Sequence, residues 1–165
     1  MPLRNIAALG VVYKAKKTEI GHIVFDLRKE ENPCSLCARM RRGYLHDIAN
    51  DWSCNKVALG HHADDAVETF IIDLFHEGRI GCFFPVTYLS RKNITVIRPM
   101  IYAAQRDVAK AAKNCALPIV KSECPADKAT NRQTTKEFLH ELERQNHGIK
   151  KRMLGALKRG HVSGW

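Results

Sequence analysis

Lys56-Val57-Ala58-Leu59-Gly60-His61-His62-Ala63-Asp64-Asp65-Ala66-Val67-Glu68-Thr69-Phe70-Ile71-Ile72-Asp73-Leu74-Phe75 changes its hydrophobic period once, at Gly60. Lys56 to Leu59 reads as a short apolar strand that ends at the glycine. Beyond it, Val67, Phe70, Ile71, Leu74 and Phe75 recur at three- and four-residue steps, the spacing of one helix face. Glu68 and Asp73 fall opposite and are expected to face solvent, and Gly78 suits the C-terminal cap. A strand, a tight loop and a helix form the repeating unit of an α/β sheet. In such sheets ligands bind outside the carboxyl ends of the strands.

The same alternation extends both ways. Downstream come a loop with Phe83, Phe84, Pro85 and Tyr88, then a strand over Thr95 to Ile97. A helix with Ala104, Val108, Ala112 and Cys115 on one face follows, then an expected strand over Leu117 to Lys121. Two helices close the sequence, roughly Thr134 to Arg144 and Gly148 to Lys158. Upstream, Pro33 suits a helix start. Met40, Tyr44, Leu45, Ile48, Ala49 and Trp52 share a face, with Arg39, Arg42 and Asn50 turned outward. Val11 to Glu19 and Ile23 to Phe25 read as strands. The expected fold is an α/β parallel sheet with flanking helices.

The chain has 165 residues, 27 Lys plus Arg and 17 Asp plus Glu, for a formal charge of +10. That length suits one domain, which buries about 70% of the surface of its unfolded chain. No apolar run approaches the roughly 18–20 residues that span a bilayer. Ile6 to Val12 after Arg4 faintly echoes a secretory signal but runs into Lys14, Lys16 and Lys17 without a small-residue cleavage site. A charge of +10 points to a polyanion partner, nucleic acid first. After Glu143 no acidic residue follows, whereas Arg144, Lys150, Lys151, Arg152, Lys158 and Arg159 do.

Six cysteines are too sparse for a disulfide scaffold and fit a reducing compartment. Cys34 and Cys37 form a CxxC at a helix start, with Arg39, Arg41 and Arg42 behind. The helix dipole and these cations favour thiolates. A CxxC alone fits a redox pair, half a zinc site or part of an iron–sulfur site. Cys124, in Glu123-Cys124-Pro125, is a plausible third ligand. Cys54, Cys82 and Cys115 read as small buried hydrophobes. Gly60, His61, His62, Asp64 and Asp65 crowd one strand-end loop. Carboxylates there can cap the helix, or hold Mg²⁺ against phosphates, and a His can contact phosphate or move a proton. Arg98, at a strand end, either reaches the same crevice or makes a surface salt bridge.

Asn32-Pro33-Cys34-Ser35-Leu36-Cys37-Ala38-Arg39-Met40-Arg41-Arg42-Gly43, Leu59-Gly60-His61-His62-Ala63-Asp64-Asp65-Ala66-Val67-Glu68-Thr69, Ile97-Arg98-Pro99, Leu117-Pro118 and Cys124-Pro125-Ala126-Asp127 occur in that order. The ordered set resembles the PP-loop ATP pyrophosphatase superfamily, in its tRNA 2-thiocytidine synthetase-like branch, from about Thr18 to the tail. The resemblance implies a Rossmann-like sheet of the adenine nucleotide alpha hydrolase type. It also implies a reaction: Mg²⁺ and ATP adenylate the carbonyl oxygen of a tRNA base, and sulfur then displaces AMP.

By the same resemblance a [4Fe–4S] cluster sits on Cys34, Cys37 and Cys124. Asp64 and Asp65 act at the nucleotide and base with Arg41 nearby, and Gly60, His61 and His62 line the cofactor. The tail residues Lys150, Lys151, Arg152, Lys158 and Arg159 grip tRNA phosphate. Implied partners are tRNA and a sulfur donor protein or sulfide, with no membrane, in the cytoplasm.

The superfamily's Ser-Gly-Gly-x-Asp-Ser phosphate loop does not occur here, and no two of the ten glycines are adjacent. The expectation is a single truncated domain over 1–165, with a basic helical tail over about 131–165 and the N-terminal strand and phosphate loop missing. The expected assembly is a homodimer, or a complex with a partner chain that supplies the missing segment. ATP turnover is then in doubt, and Val57 to Leu59 becomes an exposed apolar strand edge. The alternatives are a non-catalytic tRNA- or partner-binding remnant, and a zinc protein using the three cysteines and one His. Lysidine synthetases share the His-Asp signature but need no cysteine triad.

Overall fold

The computed structural model describes residues 10–29, 32–120, 122, 124–126 and 130–165. A sheet of three strands is flanked by helices. Strand β1 (Lys56–Ala58) lies parallel to β3 (Ile94–Ile97), with Val57 opposite Val96. Strand β2 (Val86–Leu89) runs antiparallel on the far side of β3, giving the order β1-β3-β2. The parallel pair confirms the α/β reading.

The antiparallel hairpin lies in the stretch expected to be loop. Pro85 and a run of only four residues hide the strand. Pro85 precedes β2, so the ladder loses no donor there. Asn93, at φ 48°, closes the hairpin in the left-handed region that asparagine tolerates.

Helix α1 covers Ile20–His22 and continues as a π-turn over Ile23–Arg28. This replaces the strand expected at Ile23 to Phe25: Ile20 and Val24, four apart, are both buried, which is helical spacing. Residues 11–18 form no regular element, against the expected strand. Val11 and Val12 are exposed, and the segment lies on the next helix through Lys14 over Trp52 and Lys16 over Tyr44.

That helix, α2 (Pro33–Asp51), starts where Pro33 indicated, and the Asn32 side chain accepts from Ser35 N–H. Leu117 to Val120 forms no strand; Pro118 lacks a donor and Ile119 and Val120 are exposed. Lys121 lies outside the described residues.

Helix α3 (Ala63–His76) follows β1, with Gly78 at φ 63° just past its end. Helix α4 (Gln105–Asn114) follows β3. Helices α5 (Asn131–Gln145) and α6 (Ile149–Arg159) pack on α3 through Val67, Ile71, Leu139, Met153 and Leu154. Glu68 and Asp73 are buried as well, against the expectation that they face solvent. α3 is covered on its polar side too, with Arg132 over Glu68 and Arg79 2.8 Å from Asp73. Phe75, expected in the core, is 61% exposed.

On the sheet, Val57 and Ile94 pack against Ala49 of α2. β1 pairs only with β3 among the described residues. Its open edge is backbone, because the Val57 side chain is buried.

Candidate functional site

Parallel pairing sends β1 and β3 out at the same edge of the sheet, so Gly60–His62 and Arg98–Met100 meet there. Leu59 N–H donates to Ile97 O at 2.9 Å and Ala63 N–H to Ala103 O at 2.9 Å. A Cβ on Gly60 would sit 3.7 Å from Met100 Cε, an ordinary contact. The protein's own packing does not demand glycine at 60.

The acidic pair opens α3. His62 Nδ1 accepts from Asp65 N–H at 3.3 Å, and Asp65 Oδ2 accepts from His62 N–H at 2.9 Å. This reciprocal capping satisfies two amides that a helix start leaves free. Asp65 Oδ1 takes the Arg132 guanidinium at 3.1 Å. Asp64 Oδ2 accepts from Gln105 N–H at 2.7 Å, at the start of α4, and Oδ1 faces Lys150 Nζ at 3.1 Å. Each of the four carboxylate oxygens thus has a protein partner. Burial pushes the Asp64 carboxyl up, but the Gln105 amide and Lys150 outweigh it and hold the acid below its usual range.

Arg132 also donates to Thr69 Oγ1 at 3.2 Å and lies 3.7 Å from Glu68 Oε2. Burial pushes the Glu68 carboxyl up despite this cation. An open cleft of about 200 Å³ lies alongside, lined by His62, Asp65, Gln105, Arg132, Gln133 and Lys136 among others. Arg132, Gln105 and Lys136 carry no signal that separates them from other polar and basic residues of the sequence. Only the Thr130-x-x-Gln133 cap pattern marks the turn that holds Arg132, and Thr130 does cap it.

His61 faces another way. Its ring centroid lies 4.9 Å from that of Phe83, and its Nδ1 is buried without a partner. Burial and the nearby Arg98 cation hold His61 below the usual imidazole range, so it is neutral at pH 7. Arg98 lies 4.7 Å from the Phe83 ring centroid and donates to Phe84 O. Among the described residues Arg98 makes no salt bridge, and it is not among the residues that line the cleft beside Asp65.

Cys34 begins α2 and is exposed, Cys37 lies one turn on and is half-buried, and Cys124 is exposed on a distant loop. Burial, then the Cys124 and Cys37 thiols, push the Cys34 thiol up. The expected helix-start thiolate at Cys34 is thus disfavoured, by burial first. Among the described residues no three of His, Cys, Asp and Glu stand close enough to hold a metal ion. The donor set, three soft thiols from two segments, still suits an iron–sulfur ligand shell. Cys82 is buried as expected, whereas Cys54 and Cys115 are exposed. Arg41 is exposed on α2 and bonds to neither Asp64 nor Asp65.

Of the basic tail, Lys150 is engaged by Asp64. Lys151, Arg152, Lys158 and Arg159 are exposed on α6. No helix of the described residues is long and apolar enough to cross a membrane.

A family model described as the PP-loop domain matches residues 14–142. A tRNA-cytidine(32) 2-sulfurtransferase of Citrifermentans bemidjiense is 36% identical over 155 residues, covering 92% of this chain and 61% of the relative. Its counterpart from Geobacter metallireducens is 39% identical over 140 residues, covering 81% and 54%. Among solved structures, the U34-tRNA thiolase NcsA from Methanococcus maripaludis with its [4Fe-4S] cluster superposes with a TM-score of 0.75. It is 22% identical, covers 95% of this chain and 53% of that one, and so shows the fold. This chain spans about three fifths of the length of the first curated relative.

Proposed function

We propose, from the premise that this chain belongs to the PP-loop domain family, that it serves in tRNA thiolation. The observation that carries this reading is the ordered occurrence of Cys34, Cys37 and Cys124 in a chain whose strand-end loop presents His61, His62, Asp64 and Asp65. The curated relatives named as tRNA sulfurtransferases support it.

In this reading ATP activates the carbonyl oxygen of a tRNA base, pyrophosphate leaves, and sulfur then displaces AMP. A [4Fe–4S] cluster on Cys34, Cys37 and Cys124 would supply a soft sulfur nucleophile at its fourth iron. The chain's other residues bind and orient. Gly60 keeps the loop backbone open to close approach of a ligand. His61, neutral and with an unpartnered Nδ1, offers a ring nitrogen to a bound group. Asp64 and Asp65 fix the loop and hold Lys150 and Arg132 at its rim. A divalent cation reaching either acid would compete with one of these cations. Lys151, Arg152, Lys158 and Arg159 supply salt-dependent attraction to phosphate.

Anaerobic reconstitution with iron and sulfide tests the cysteine assignment. A brown protein with visible absorption is expected, and each of Cys34→Ala, Cys37→Ala and Cys124→Ala should take up less iron. Uptake equal to wild type in all three would overturn it. A second reading, tRNA binding without ATP turnover, is favoured by one observation: Lys150 and Arg132 already engage Asp64 and Asp65 at the strand-end loop. Pyrophosphate release by the chain alone would exclude that reading.

A further inference from the structure

Beside the Gly60 loop runs a surface of aromatic rings and cations that the proposed chemistry does not use. It begins at Met100, which touches the space over Gly60. Phe83, in contact with both His61 and Arg98, lies on its inner side. Phe84 and Tyr102 are 48% and 58% exposed. Lys158 Nζ lies 4.8 Å from the Tyr102 ring centroid, and the Trp165 ring meets Tyr102 edge-on with centroids 6.0 Å apart. The platform is anchored: Trp165 Nε1 donates to Phe83 O at 3.1 Å, Ser163 Oγ accepts from Cys82 N–H, and Arg98 donates to Phe84 O.

Exposed rings held rigid from behind lose little freedom when a flat partner stacks on them. Unpaired bases are such partners, because every base has a π-face and stacks on aromatic side chains or guanidinium planes. Charge selects the same occupant. The platform carries Lys158 and Arg98, the neighbouring helix α6 adds Lys151, Arg152 and Arg159, and the chain bears +10 overall. An apolar protein partner would gain nothing from those cations, whereas each phosphate of a single strand would.

We infer that Phe84, Tyr102 and Lys158 form a stacking platform for unpaired bases of RNA, next to the Gly60 loop. This rests on the reading that the chain acts on RNA, and it adds where and how the strand is held. A base on the platform would keep its single-stranded neighbours beside the loop.

The test is fluorescence anisotropy of the full chain with a labelled single-stranded decanucleotide RNA and with a duplex RNA of equal length. Tyr102→Ala should weaken single-strand binding roughly 5- to 100-fold, the range of one lost base stack. Tyr102→Phe should restore it, Phe84→Ala should also weaken it, and duplex binding should change little. The salt dependence of Tyr102→Ala should match wild type, whereas Lys151→Ala with Arg152→Ala should flatten it. Single-strand binding unchanged in both Tyr102→Ala and Phe84→Ala would overturn the platform, as would equal loss on duplex, or no single-strand binding by wild type. Iron uptake on the three cysteines is read separately, so failure there leaves this outcome legible.

Discussion

Lys150 Nζ lies 3.1 Å from Asp64 Oδ1, 86 residues earlier in the chain. The pair ties helix α6 to the start of α3, and Gln105 N–H ties α4 to the same carboxylate. Both side chains are mostly shielded, at 24% and 14% exposure, so water screens the contact only in part. Asp64→Asn should lower stability at pH 7 by about 2 kcal/mol, the scale of hydrogen bonds to a charged group. Asp64 is held below its ordinary range in the fold. Its contribution is therefore complete above the unfolded value of about 4 and fades as pH falls through the lower folded value. Urea unfolding from pH 2 to 7 should show the wild type losing stability on that acid limb and Asp64→Asn losing less. Parallel curves would show that Asp64 gains nothing from its partners.

Glu68 has the opposite sign. Burial pushes its carboxyl up, and its nearest cation, Arg132, stands 3.7 Å away and also serves Asp65 and Thr69. Below the unfolded value both states are protonated and nothing is lost. As pH rises the unfolded state ionises first, so folding weakens until the folded value is passed. Glu68→Gln should accordingly match the wild type near pH 4 and exceed it in stability at neutral pH. A less stable Glu68→Gln at pH 7 would mean that attraction to Arg132 outweighs burial.

His62 caps α3 with its ring rather than with a hydroxyl or carboxylate. His62→Ala should cost about 0.5–2 kcal/mol, the range for losing an N-cap. His62→Asn, whose side chain also accepts from the N3 amide, should recover most of it. Thermal unfolding at pH 7.5 reads both. Equal melting temperatures for His62→Ala and wild type would show that the cap carries no stability.

What the sequence makes legible is local. The period change at Gly60 marks strand, loop and helix because each is decided by residues within four positions. Pro33 and Gly78 place helix ends for the same reason. The partners of the acids lie far off: Gln105 is 41 residues from Asp64, and Arg132 is 67 from Asp65. Nothing in the composition of α5 separates Arg132 from its solvent-facing neighbours. The strands expected at Val11 to Glu19 and Leu117 to Lys121 fail because β-branched composition alone supplies no neighbouring strand to bond. Helix α3 misleads on Glu68 because Arg132, at the start of α5, lies over it on the side that its polar residues mark as outer.

The six cysteines should divide by reactivity. Burial pushes the Cys82 thiol to about 11, and its Sγ donates to Ala66 O at 3.4 Å. Attack on a disulfide reagent needs the thiolate, so at pH 8 only about one Cys82 in a thousand is competent at any moment. Cys34, Cys54, Cys115 and Cys124 are exposed and Cys37 is half-buried. Titration of the reduced, metal-free chain with an aromatic disulfide should therefore give five fast thiols and one slow one. In 8 M urea all six should react at one rate, and Cys82→Ala should remove the slow phase alone. Six fast thiols in the folded chain would mean that the core around Ala66, Cys82, Ile101 and Leu157 opens far more readily than its burial implies.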